Sequence, residues 1–147
     1  METILFTNNG ISPEIKFKRE LKSFLISIFR NENVVFKSVS YIFCKDDYLL
    51  NLNKKYLNHN TLTDILTFTL SGTGSAIVSE IYISVERVIE NAVSLKTNYQ
   101  NELIRVMIHG ILHLCGYADQ THTQKTLMRK KENYYLSLLT FHVKRST

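Results

Sequence analysis

At 147 residues the chain has room for one ordinary domain with a sizeable core, and its 44% hydrophobic and 21% charged residues, five Gly and single Pro exclude a disordered or fibrous protein. A net charge of +5 and a pI near 9.2 favour a polyanionic partner, nucleic acid being the commonest. The two cysteines, Cys44 and Cys115, a start (METILFTNN) without leader features, and the lack of an apolar run near the roughly 18 residues of a membrane span point to a reducing cytoplasm, with no disulfide framework and no membrane.

In chain order, ETILFTN (2–8) reads as a short strand. Ser12-Pro13-Glu14 carries the residues of a helix start: a capping hydroxyl, a proline suited to the first helical position and an acid for the positive end of the dipole. That helix is expected to run to about Asn31. VVFKSVSYIFC (34–44), rich in β-branched and aromatic residues, reads as a strand, and DDYLLNLNKKYL (46–57) returns to helical spacing before the polar loop NHNTLTD. ILTFTL (65–70) and IVSEIYIS (77–84) are two strands joined by SGTGSA, as a hairpin or a longer loop. From Ser84 the pattern is helical: a capped helix to about Lys96, an apolar helix from about Tyr99 to Cys115, a break at Gly116, and a last helix from about Thr123. No repeat or linker divides residues 1–147. The expectation is a single α+β domain, a roughly four-stranded mixed sheet packed with about five helices, the apolar one central.

That central helix contains HGILHLCGYAD, with two imidazoles in a greasy setting. Each helical residue turns about 100°, so His109 and His113 project from one face, a turn apart, at metal-ligand spacing. Two hydrogen-bonded core histidines would give the same pattern. Gly116 follows three residues later, where a glycine can end the helix and turn the chain back across the histidine face, and Asp119 arrives three residues after that. This is the layout of the metzincin peptidase signature with Asp in place of its last His. Two imidazoles and a carboxylate suit Zn²⁺, one ion per chain, with a fourth position open to water. A peptidase also needs Glu directly after the first His as general base, and Gly110 stands there, which disfavours that activity. Phosphodiester hydrolysis fits better, either through metal-activated water or with an RNA 2′-hydroxyl as nucleophile.

HGILHLCGYAD resembles the pattern HGxLHLxGYDH of the YbeY family of rRNA-maturation endoribonucleases. LNKKYLNHNTLTDILTF (52–68), SEIYIS (79–84) and NELIRVMIHG extend the resemblance across most of residues 45–119 in the expected order. It implies a single-strand-specific, zinc-dependent endoribonuclease of 16S rRNA 3′-end maturation and late ribosome quality control. Its partners would be rRNA and ribosomal particles, it would use no nucleotide cofactor, and catalysis would run through water on a metal held by His109, His113 and Asp119. A non-catalytic ribosome-assembly factor that binds rRNA around a structural zinc is the alternative, distinguished by a fourth protein ligand. Two positions depart from the family. Asp119 aligns with its third His, with His122 the nearest histidine beyond, and Leu57 stands where the family has Arg. Lys54, Lys55 and His59 are the candidates to replace that charge.

Metal-bound imidazoles usually donate their second ring nitrogen to a carboxylate or carbonyl, which makes Asp64 and Glu102 candidate supports. Cys115, about 200° around the helix from His113, is expected in the core. Lys16, Lys18, Arg19 and Lys22 on the first helix, and Arg129, Lys130 and Lys131 on the last, are either solvated faces or tracks for an RNA backbone. Tyr134 and Tyr135 either pack the last helix or stack on bases.

Overall fold

Residues 34–44 and 77–84 are rich in β-branched and aromatic side chains, and these two segments form the middle of the sheet. The computed structural model describes residues 1–57 and 63–146, with side chains described except at 57 and 140–146. Its strands are β1 (Thr3–Asn8), β2 (Phe36–Cys44), β3 (Ile65–Thr69) and β4 (Ile77–Ser84), in the spatial order β1-β2-β4-β3. β1 and β4 run parallel to β2, whereas β3 pairs antiparallel with β4, with Ile65 opposite Ile83 and Thr69 opposite Ser79. The helices are α1 (Lys18–Asn31), α2 (Asp46–Leu57), α3 (Val85–Ser94), α4 (Tyr99–Leu114) and α5 (His122–Ser146). The mixed sheet and the helices among the described residues match the architecture read from the sequence. None of these helices is long and apolar enough to cross a membrane.

One face of the sheet presents Val39, Tyr41, Phe43, Ile81 and Ile83 to α1, α4 and α5, and this is the main core. Cys44, Leu49 and Leu66 form a smaller cluster between the other face and α2. Side chains alternate across a strand, so β2 and β4 serve both sides. Two features seat α4 against the sheet. The buried Tyr41 hydroxyl donates to the Met107 carbonyl at 2.7 Å. Gly110 faces the sheet, where a Cβ would lie 3.0 Å from Ile65 Cδ1 and 3.1 Å from Ile81 Cδ1.

The expected helix start at Ser12-Pro13-Glu14 is corrected: α1 begins at Lys18. Ser12 Oγ accepts from the Glu14 amide at 3.2 Å in a local turn. The carbonyls that would open a helical ladder are taken from outside, Pro13 O by the Tyr99 hydroxyl at 2.6 Å and Glu14 O by Gln100 Nε2 at 2.7 Å. Glu14 and Phe17 adopt φ values of 55° and 56°, and Ile15 is buried in the core. Tertiary capture of the segment by the start of α4 outweighs its local helical signal. Lys16 therefore precedes the first helix instead of lying on it.

Candidate metal centre

The last turn of α4 builds the site. Asn98 caps the helix start by accepting from the Asn101 amide at 2.8 Å, and the end closes in two bonds, Gly116 N to His113 O at 3.0 Å and Tyr117 N to Leu112 O at 3.0 Å. Gly116 has φ 102°. These bonds with a left-handed glycine form a Schellman motif, the reversal expected at Gly116. Thr121 and Gln124 then cap α5 reciprocally, Thr121 Oγ1 accepting from Gln124 N and Gln124 Oε1 from Thr121 N. Between the two caps the chain lays Asp119 across the histidine face.

Asp119 Oδ2 stands 3.3 Å from His109 Nε2 and 3.3 Å from His113 Nε2, and one ligand atom from each residue falls within 4.8 Å of the others. Charge-assisted hydrogen bonds run shorter, at about 2.7–2.9 Å. A tetrahedral Zn²⁺ with bonds near 2.0–2.1 Å separates neighbouring ligand atoms by about 3.3 Å, so the donor set fits the ion. Among the described residues no fourth His, Cys or carboxylate joins the group. The side chains of His109, His113 and Asp119 are 21%, 30% and 31% exposed, so solvent reaches the open side.

The other ring nitrogens are held as well. His109 Nδ1 lies 2.7 Å from Glu132 Oε2, and His113 Nδ1 lies 2.8 Å from the Tyr117 carbonyl. A carboxylate and a carbonyl only accept, so both imidazoles donate a proton from Nδ1, which leaves each Nε2 free to ligate a cation held between it and Asp119. Glu132 is 4% exposed, and its other oxygen accepts from Arg105 Nη1 at 3.2 Å. Burial opposes protonation of His109, but the bond and charge of Glu132, aided by Asp119 and Asp64, prevail and raise its pKa above the ordinary value.

A cleft of about 370 Å³ opens beside the ligands. Asp64, Glu102 and Glu132 contribute carboxylates to its wall, and Arg105, Lys125 and Arg129 contribute cations. Burial pushes the Asp64 carboxyl above its usual range, His109 pulling the other way, and burial likewise raises Glu102 against the pull of Arg105.

Of the residues expected to matter, His109, His113 and Asp119 are brought together, whereas His122 is exposed at the start of α5 and outside the group. Asp64 and Glu102 reach the cleft, but neither makes the histidine bond expected of a support: Asp64 Oδ2 accepts from Asn91 at 3.4 Å, and Glu132 holds His109. Glu132 went unread in the sequence, although it is the sole acid of α5. Arg105 could have been found, since it precedes His109 by one helical turn. Lys54 and Lys55 are exposed on α2, and His59 and the Leu57 side chain lie outside the described residues. Cys115 is partly buried against the core, and burial pushes its thiol up to about 12. Lys22 lies over the Phe6 ring at 4.9 Å, and Lys131 is tied to Glu32, so neither is a free cation; Lys18, Arg19, Arg129 and Lys130 are exposed. The two tyrosines divide: Tyr135 is 1% exposed and packs, Tyr134 is 53% exposed.

Gly110 gains a second meaning. A side chain there would meet Ile65 and Ile81 at its Cβ, so the close seat of α4 on the sheet is built for glycine and not for a general-base Glu.

Fold and site together define an α+β protein with an open two-histidine, one-carboxylate centre at the C-terminal end of a buried helix. The profile of the family described as Endoribonuclease YbeY matches residues 6–140. This chain belongs to that family. Proteins named Endoribonuclease YbeY from Flavobacterium psychrophilum and Cytophaga hutchinsonii are 46% and 39% identical to it, each alignment covering 95% of this chain and 97% and 98% of the relative. The solution structure of a Thermotoga maritima protein is similar, with a TM-score of 0.65 and 28% identity over 99% of this chain and 93% of that one.

Proposed function

We propose that the chain is a zinc-dependent endoribonuclease that cuts single-stranded RNA in the cytoplasm, acting on rRNA within ribosomal particles during 16S 3′-end maturation and late ribosome quality control. The observation that carries the chemistry is the convergence of His109, His113 and Asp119 on one point at the mouth of a cleft, with an open side instead of a fourth protein ligand among the described residues. Zn²⁺ bound there would supply a Lewis acid for a phosphoryl oxygen and lower the pKa of a coordinated water. Glu132 and the Tyr117 carbonyl hold both imidazoles in the ligating tautomer. Arg105, Lys125 and Arg129 line the same cleft, two of them also paired with Glu132, and on this reading they supply the cationic side for phosphate oxygens in place of the family arginine replaced by Leu57. Family membership supports the choice of RNA as substrate.

The test pairs metal analysis of purified wild type and His113→Ala with cleavage of an rRNA 3′-precursor, single-stranded or annealed to a complement. One zinc per wild-type chain, cutting of the single strand only, and loss of both in the variant are expected. Equal metal content in the two proteins would remove the assignment. Zinc with RNA binding but no cutting would make the chain a binding factor.

A further inference from the structure

Glu32 lies at the end of α1, far from the ligands in sequence, and collects three donors on one carboxylate. The Tyr117 hydroxyl donates to Oε1 at 2.6 Å, while Lys131 Nζ at 3.2 Å and the Tyr135 hydroxyl donate to Oε2. Lys131 also lies over the Tyr117 ring, 5.3 Å from its centroid. Glu32 itself is fixed, its amide bonded to Ile28 O at 2.9 Å and its side chain 11% exposed. Three segments therefore meet at this carboxylate: the end of α1, the turn after α4, and the middle of α5.

Tyr117 connects this junction to the metal centre. Its carbonyl is the atom that holds His113 Nδ1, and it stands two residues before Asp119. Gly116, with its positive φ, gives the turn little stiffness of its own beyond the two capping bonds. An anchor on the Tyr117 side chain fixes the rotation of this peptide and hence the direction of its carbonyl. We propose that Glu32 is a positioning residue of the metal centre, clamping Tyr117 so that His113 and Asp119 are preset in ligating geometry. Lys131 and Glu132, adjacent on α5, then serve one imidazole each, Glu132 directly and Lys131 through Glu32 and Tyr117. The proposal rests on the zinc reading above and adds to it the parts of the fold that set the metal affinity.

Tyr117→Phe is the mildest test, since it keeps ring and backbone and removes only the hydroxyl. Glu32→Gln removes the charge that gathers the donors. Zinc affinity is measured by chelator competition at a temperature where circular dichroism shows every variant folded, and thermal unfolding of the zinc-free proteins is measured in parallel. Removal of a group that orients a metal ligand typically costs 10–100-fold in affinity, and this clamp acts one step further out, so a loss of about tenfold is expected in each single variant. The double variant should be no weaker than the worse single, since both changes act through the same Tyr117–Glu32 contact. Unchanged zinc affinity in folded Tyr117→Phe and Glu32→Gln, whatever happens to their melting temperatures, overturns the proposal and leaves Glu32 a structural tie. Failure of wild type itself to bind zinc through His113 overturns the zinc reading, and the proposal with it.

Discussion

His109 and His113 stand one turn apart on the same helix, but they are secured by different parts of the molecule. His113 is held by a backbone carbonyl four residues away, within the reversal that ends α4. His109 is held by a side chain 23 residues away on α5, which is itself buried and shared with Arg105. The carbonyl cannot be deleted by mutation, only misdirected, whereas the carboxylate can be removed outright. The half of the site formed by His113, Gly116, Tyr117 and Asp119 is thus encoded in one short stretch and anchored from outside through Tyr117 and Glu32, whereas the half around His109 depends directly on a side chain of α5.

Breaking the local half should have the largest effect. His113→Ala or Asp119→Ala removes a ligand, and zinc affinity by chelator competition should fall beyond the roughly 100-fold reached by losing a supporting partner. Gly110→Glu should compromise the seat of both histidines: its Cβ meets Ile65 and Ile81, and its charge enters the core. A loss of more than about 3 kcal/mol in denaturant unfolding is expected, with no gain of peptidase activity. Glu132→Gln keeps an acceptor for His109 but removes the charge facing Arg105, and zinc affinity should drop about 10-fold with His113 contacts intact. Lys125→Ala removes a cleft cation that pairs with neither support, unlike Arg129, whose guanidinium lies 3.6 Å from Glu132 Oε1. It should raise KM for RNA a few-fold with zinc content unchanged, and flatten the salt dependence of RNA binding by about one unit of slope. The smallest effect concerns pH. Burial of Glu32 disfavours its charged form, but the bonds from Tyr117, Tyr135 and Lys131 prevail and hold its pKa below the usual 4.5. A carboxyl depressed on folding contributes stability above its unfolded pKa and loses it as pH falls through the folded value. Urea midpoints of zinc-free wild type should therefore decline from about pH 4.5 downward more steeply than those of Glu32→Gln.

The same division decides what could be read in the sequence. Strand composition and helix periods gave the α+β architecture and most element boundaries, because the β-branched and aromatic runs of β2 and β4 and the apolar face of α4 are local patterns. The local half of the site was equally legible: the spacing of His109, His113, Gly116 and Asp119 encodes a helical turn, a left-handed reversal and a return. Glu132 was not legible, since nothing in the run RKKE sets a core carboxylate apart from a solvated one until α5 packs its Met128, Glu132, Tyr135 and Leu139 face inward. The start of α1 failed for a related reason. Ser12-Pro13-Glu14 is a good local signal, and Tyr99 and Gln100, distant in sequence, take the carbonyls it would have used.

The three ligands all fall within residues 109–119, joined by a segment so short that little entropy is lost in closing it. Unfolded chains therefore keep these side chains near one another, and a cation retains some affinity for them without the fold. Because stabilisation by an ion reflects preference for the native over the denatured form, saturating zinc should raise the melting temperature by less than its native-state affinity implies. If zinc is the ion, as proposed, the same proximity would let a refolding chain take it up before α5 has docked.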